Sequence, residues 1–337
     1  MDRRRLLAII LLVISLLMII SVPIWLFTPL NTLLGGQVDL NAPPLTPIAL
    51  TPTPKAAPQA VLVPQGQPGK LLASGAILMD ADSGLILYEK NAETPLPMAS
   101  TTKIMTALIA IQSGNLDQVI TVGQDAVSQD KIGSSAGLAV GNKLTLKELL
   151  YGLMLPSGDD AAVAIADGVA GSTEAFTTIM NVEAQNLHLF QTHFFDPTGL
   201  DTDLNLNPIP PYMHYTTPYD LVRLARYAMN IPLFAKIVST PIYQLAATAD
   251  HGPFNWKNTN SLLGTYKGAL GVKTGWTGAA GGCLVFAARR DNHTLVGVVL
   301  HSSTASSTQT QDELTRITDA KTLLTWGFGL PSQVPQM

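Results

Sequence analysis

Three features of this sequence predict an α+β fold, an antiparallel sheet with helices packed on it. Two short β-like runs flank an Asp- and Gly-rich turn near residue 80, the middle of the chain has helical periodicity, and three β-like runs return late. Strands gathered at both ends with helices between them do not fit alternating β-α-β units.

Residues 1–30 open with Asp2-Arg3-Arg4-Arg5 and an almost unbroken apolar run from Leu6 to Phe27. As a helix the run would be roughly 33 Å long, enough to cross a bilayer. The arginines predict a cytoplasmic start and a single-pass anchor, with the rest of the chain outside the cell membrane. No small-x-small cleavage site follows directly, so a retained signal-anchor fits better than a cleaved leader. Residues 31–70 contain eight prolines and few charges. Such a segment is an extended, semi-rigid extracytoplasmic linker.

The folded domain is expected over 71–330, with a short tail at 331–337. Ala76 to Met79 and Leu85 to Tyr88 read as a hairpin around Asp80 to Gly84. Ile104, Leu108 and Ile111 recur at helical spacing after Pro97, Leu144 to Leu150 opens a second helix, and Ala161 to Val169 forms another. Leu270 to Thr274, Cys283 to Ala288 and Leu295 to His301 are the late strands. The chain closes with a helix whose apolar stripe is read as Leu314, Ile317 and Leu324, ending at Trp326-Gly327-Phe328.

Of the 20 Lys/Arg and 24 Asp/Glu, residues 1–70 hold five and two, which leaves 15 and 22 in the folded part, a net charge of −7. That argues against a nucleic-acid partner. Cys283 is the only cysteine, so no internal disulfide forms, and its apolar neighbours mark it as a core residue. The six histidines have no zinc-ligand spacing, and neither a metal nor a cofactor is predicted.

Three segments carry chemistry. Ser100-Thr101-Thr102-Lys103 sets a serine and a lysine three residues apart in a first helical turn, where the amine can reach the hydroxyl. Read alone, Ser100 is also an ordinary helix cap. Ser157-Gly158-Asp159 lies in a Pro- and Gly-marked loop before a helix, where both polar residues could merely be caps. Lys273-Thr274-Gly275-Trp276 ends a strand, where Gly275 would let a substrate backbone approach closely. A fourth segment, Gly133-Ser134-Ser135-Ala136-Gly137, matches a nucleophile elbow but lacks the buried strand that such an elbow needs, and is read as a mobile loop.

The first three segments are separated by 57 and 116 positions. In this order they resemble the penicillin-recognising serine acyl-enzymes, with motifs Ser-x-x-Lys, Ser-x-Asn and Lys-Thr-Gly. The chain is most similar to the D-alanyl-D-alanine carboxypeptidases of serine peptidase family S11. The similarity also takes in Asp196 to Leu200, His214-Tyr215-Thr216-Thr217 and Trp326 to Phe328.

The resemblance implies a β-lactamase/DD-peptidase-like fold, a five-stranded antiparallel sheet flanked by helices with a helical subdomain. It implies Ser100, Lys103 and Ser157 as catalytic residues. Ser100 would attack the bond between the terminal D-alanines of a peptidoglycan stem peptide, Lys103 would take its proton, and Ser157 would relay a proton to the leaving D-alanine. Asp159, Lys273, Thr274, Gly275 and Trp276 would bind substrate, with Lys273 and Thr274 on the terminal carboxylate and the amides of Ser100 and Trp276 as oxyanion hole. β-Lactams would be covalent inhibitors.

Asp159 departs from the pattern. An ionised Asp only accepts hydrogen bonds, where Asn also donates. An ordinary lysine amine sheds its proton only near about pH 10.4, so a carboxylate beside Lys103 opposes its use as a base while Lys273 favours it. Asp159 is therefore expected to be coupled to Lys103 or partly protonated. Two alternatives follow. One is a β-lactamase, although no Glu-x-x-Leu-Asn-like segment for fast deacylation appears between Phe195 and Tyr219. The other is a catalytically impaired domain that binds peptidoglycan or senses β-lactams. The Pro-rich stretch Asp203 to Tyr212 is expected to border the cleft.

Overall fold

The computed structural model describes residues 60–129, 132–201, 214–304 and 308–333. The expected anchor in residues 1–30, most of the linker and the stretch Asp203 to Tyr212 lie outside the described residues. Among the described residues no helix is long and apolar enough to cross a membrane.

Ala73–Asp80 (β1) and Ile86–Lys90 (β2) form the expected hairpin, whose turn closes because Asp80 Oδ1 accepts from the amides of Asp82 and Ser83 at 3.0 Å each. The late strands are longer than their apolar runs: Ala269–Thr277 (β3), Gly281–Arg290 (β4) and His293–Ser302 (β5). All five join one antiparallel sheet in the order β2-β1-β5-β4-β3. The two ends of the domain thus meet at β1 and β5, and β3, which carries Lys-Thr-Gly, is an edge.

Besides a short helical turn at Gln124–Ser128, the helices among the described residues are Lys103–Gln112 (α1), Leu146–Met154 (α2), Asp159–Ala170 (α3), Thr173–Asn186 (α4), Pro218–Met229 (α5), Pro232–Val238 (α6) and Gln309–Phe328 (α7). Several starts are written in the sequence. Thr145 and Glu148 make a capping box on α2, Thr308 and Gln311 make one on α7, and Thr217 caps α5 ahead of Pro218.

Alternate residues of the sheet serve two cores. Ile77, Cys283, Val285 and Val298 face a core shared with α1, α2, α3 and α5. Leu78, Leu284, Phe286 and Val299 face another, covered by Ala320, Leu323 and Leu324 of α7. Helices on both faces explain why Cys283 to Ala288 reads as a continuous apolar run rather than an alternating one.

Three expectations need correction. Val61–Leu62 pairs with Ser332–Gln333, so residues given to the linker and the tail are part of the fold. Leu314 is 65% exposed and does not belong to the buried stripe of α7. The side of α7 that faces the sheet instead buries Asp312, Arg316 and Asp319, because each has a partner to reach. Asp319, for example, accepts from the amides of Leu72 and Ala73 and from Ser302 Oγ.

Candidate active site

Ser100 sits in a tight 3₁₀ turn, Ala99–Thr102, that runs straight into α1. The preceding Ala99 has φ +48°, a left-handed conformation unusual for a residue with a Cβ. Hydroxyls hold the turn: Thr101 Oγ1 donates to Met98 O at 2.6 Å and Thr102 Oγ1 to Ala99 O at 2.9 Å. One helical turn on, Lys103 Nζ lies 2.9 Å from Ser100 Oγ, as the spacing predicts.

Lys103 is fully buried and its three N–H groups have three acceptors: Ser100 Oγ, Thr198 O at 2.8 Å and Asp159 Oδ1 at 2.5 Å. Asp159 is equally buried and also accepts from the Ser134 amide at 2.8 Å. Burial pushes its carboxyl above the ordinary aspartate range, while the charge of Lys103 and these hydrogen bonds pull it back. The expected coupling of Asp159 to Lys103 is therefore visible as a direct ion pair.

The second pair is assembled from distant segments. Ser157, at φ +69° between α2 and α3, accepts from Lys273 Nζ at 2.8 Å, and Lys273 also donates to Thr274 O at 2.8 Å. Lys273 is buried on β3, and none of the ion pairs among the described residues includes it. Burial, reinforced by the charges of Lys103 and Arg316, holds its amine well below the ordinary lysine value.

Both serines open on one cleft of about 750 Å³, lined also by Thr274, Trp276, Asn258 and Arg316. Thr274 Oγ1 is 2.6 Å from Thr259 Oγ1, and the Trp276 indole donates to Asp312 at 3.0 Å. Packing adds a requirement at Gly275 that the sequence did not show. A Cβ there would stand 3.0 Å from Ala99 Cβ and 3.1 Å from Ser100 N, so the missing side chain makes room for the nucleophile's own turn. The cleft thus brings together Ser100, Ser157, Thr274, Gly275 and Trp276, with Lys103, Asp159 and Lys273 buried beneath it.

Sequence reasoning missed several neighbours. Arg316 reaches back from α7 to donate to Gly275 O at 2.7 Å, and its Nε is buried without a hydrogen-bond partner. Its signal would have been the helical spacing of Asp312, Arg316 and Asp319, which puts three charged residues on the side of α7 that also carries Ala320 and Leu323. Thr198 contributes only its carbonyl, and backbone chemistry leaves no trace in residue type. The Gly133 to Gly137 segment is a loop without a preceding strand, as expected, but it is pinned rather than mobile. The Asp160 carboxylate accepts from the amides of Ala136 and Leu138 and from Ser135 Oγ, and the Asp159 amide donates to Ser134 O at 2.8 Å. Cys283 is buried, and desolvation pushes its thiol up to about 11, which leaves it inert.

A serine hydroxyl against a buried amine, a second hydroxyl on a second amine, and a cationic patch beside an edge strand define a serine acyl-enzyme site. The comparisons agree. The profile of the D-alanyl-D-alanine carboxypeptidases, peptidase family S11, matches residues 62–304, and the chain belongs to that family. It is 38% identical over 275 residues to the D-alanyl-D-alanine carboxypeptidase of Streptomyces sp. strain K15, covering 77% of this chain and 88% of that one. It is 35% identical to the carboxypeptidase DacF of Bacillus subtilis, covering 71% of this chain and 60% of that one. The crystal structure of the Streptomyces K15 DD-transpeptidase superposes with a TM-score of 0.70 at 38% identity, over 79% of this chain and all of the other.

Proposed function

We propose that this chain is a serine DD-carboxypeptidase that removes the terminal D-alanine from peptidoglycan stem peptides through an acyl-enzyme on Ser100. The observation that carries the reading is the 2.9 Å contact between Ser100 Oγ and the buried amine of Lys103, in one cleft with the Ser157–Lys273 pair.

Ser100 Oγ attacks the carbonyl of the penultimate D-alanine while its proton passes to Lys103. Lys103 acts as a base only when uncharged, and its three contacts suit that form too. The neutral amine accepts from Ser100 and donates its two remaining N–H groups to Asp159 and Thr198. The oxyanion is received by the amides of Ser100 and Trp276, where losing one donor typically costs ~3 kcal/mol of transition-state stabilisation. Ser157 passes a proton to the departing amine. Water then attacks the ester and frees Ser100.

The terminal carboxylate goes to Lys273 and Thr274, with Arg316 adding a charge from α7. An anion arriving there restores the preference of the Lys273 amine for its proton, so binding both charges and orders the site. β-Lactams acylate Ser100 in place of the peptide. We further place the domain outside the cell membrane, held by a single-pass helix within residues 1–30 and the Pro-rich linker, on the strength of the Arg-rich start and the apolar run.

Incubation with benzylpenicillin followed by peptide mapping should give a covalent adduct on Ser100. A diacyl-Lys-D-Ala-D-Ala peptide should release D-alanine. An adduct without release would favour a β-lactam sensor, and rapid release of hydrolysed penicillin a β-lactamase. Absence of any adduct at Ser100 would remove the reading.

A further inference from the structure

The left-handed Ala99 that presents Ser100 is held from outside its own helix, by a buried histidine. His214 Nδ1 accepts from the Phe195 amide at 3.0 Å, and His214 Nε2 lies 2.8 Å from Thr102 Oγ1. Thr102 has one hydroxyl hydrogen, and it is donated to Ala99 O at 2.9 Å. Toward the ring Thr102 can then only accept, so Nε2 carries the hydrogen and Nδ1 carries none. The neutral ring with its proton on Nε2 satisfies every contact.

The same loop closes on the turn a second time. Gly199 has φ +85°, and a Cβ on it would stand 2.1 Å from Ala99 O and 2.6 Å from Thr102 Oγ1. Thr106 Oγ1 donates to Pro197 O at 2.7 Å, and Lys103 Nζ donates to Thr198 O at 2.8 Å. Ala99 O, the carbonyl just before the nucleophile, is therefore fixed by a relay that runs from Phe195 through His214 and Thr102.

Resting on the acyl-enzyme reading above, we propose that His214 is a positioning residue for Ser100. Its neutral ring locks the Ala99–Ser100 turn through Thr102, and its protonation unlocks that turn. An imidazolium would set a second N–H against the Phe195 amide, two donors facing each other beside a buried ring. The charged groups around the ring are Asp196 and Asp201, which favour its protonation, and His193 and Lys103, which oppose it. Burial, the strongest influence, also opposes it, so the switch lies on the acid side of the ordinary histidine value.

The test uses the full chain, a fluorescent penicillin and the second-order rate of Ser100 acylation measured from acid to alkaline pH. His214→Asn keeps an acceptor for the Phe195 amide and drops the link to Thr102. Thr102→Val drops the same link from the other side, and Thr102→Ser keeps it. A displaced nucleophile costs rate more than binding, so the Asn and Val variants should acylate roughly tenfold or more slowly with little change in reversible affinity. Thr102→Ser should stay within about twofold of the native rate. The acid-side fall in the native profile should lose its histidine step in His214→Asn.

The proposal fails if either slowed variant acylates within about threefold of native, if Thr102→Ser is slowed as much as Thr102→Val, or if the acid limb of His214→Asn is unchanged. Should His214→Asn not fold, the Thr102 pair decides the matter by itself. A native protein that takes no adduct at Ser100 defeats the proposed function and this inference together. A native adduct with unaltered variants defeats this inference alone.

Discussion

The molecule contains two serine–lysine pairs, and they are electrostatic opposites. Ser100 and Lys103 are neighbours on one helical turn, and their amine faces the buried carboxylate of Asp159 at 2.5 Å. Ser157 and Lys273 come from segments 116 residues apart, and their amine faces two neutral oxygens, Ser157 Oγ and Thr274 O. One amine has its counter-charge inside the fold. The other is in none of the ion pairs among the described residues. A bare buried cation is costly, so Lys273 is pushed toward its neutral form until an anion enters the cleft. Under the proposed mechanism this contrast divides the labour, one pair making the bond and the other recognising the carboxylate and passing a proton.

The largest expected effect tests that division directly. Ser100→Ala should abolish the penicillin adduct and lower D-alanine release by a factor on the order of 10⁴ or more, as loss of a covalent nucleophile does elsewhere. Ser157→Ala should still be labelled on Ser100, but roughly 10²-fold more slowly, the size typical of a lost proton relay. Mass spectrometry of intact and digested protein separates the two. If Ser157→Ala takes no label, or Ser100→Ala is labelled on Ser157, the pairs do not divide the labour as described.

How far the sequence revealed this arrangement depended on the range of each interaction. The Ser100–Lys103 pair follows from helical geometry alone, and the five strands follow from local apolar runs and turn residues, so both were legible. The Ser157–Lys273 pair was legible only through the order of motifs. Nothing local in Ser157-Gly158-Asp159 says which strand will close over it. The close packing of Gly275 on the turn at Ser100 was hidden for the same reason, because the two segments are far apart in the chain. Leu314 misled because α7 turns Asp312, Arg316 and Asp319 inward to hold Trp276, Gly275 and β1. A charged face with specific partners imitates a solvent face in any hydropathy pattern.

A smaller effect sharpens the contrast at its centre. Asp159→Asn keeps the shape of the side chain and removes the negative charge beside Lys103. The carboxylate favours the charged amine, so its removal favours the neutral base. Acylation near pH 7 should rise by several-fold, because the neutral amine is the form that takes the Ser100 proton. The amide still offers one oxygen, but it cannot accept from both Lys103 and the Ser134 amide with two oxygens as Asp159 does. Some loss of stability should therefore accompany the gain in rate. An unchanged acylation rate would show that the charge of Asp159 does not hold the base back.

The smallest effect concerns a carboxylate with no cation at all. Asp167 lies on α3 eight residues after Asp159, roughly 12 Å along the helix. Burial first, then a hydrogen bond and the charge of Asp125, then Glu174, push its carboxyl up to about 7. With a folded value above the unfolded one near 3.8, the native state holds this proton more tightly. Its contribution to stability is therefore present in full below about pH 4 and is lost as pH rises through 7. Asp167 is only half-buried, so screening reduces the effect to about 1 kcal/mol. Asp167→Asn should raise the melting temperature at pH 8 by a few degrees relative to the native protein and leave it unchanged at pH 4, with acylation of Ser100 unaffected. A variant that melts like the native protein at both pH values would mean that the Asp125–Asp167 contact opens to solvent, unlike the buried Asp159 and Asp160 at the start of the same helix.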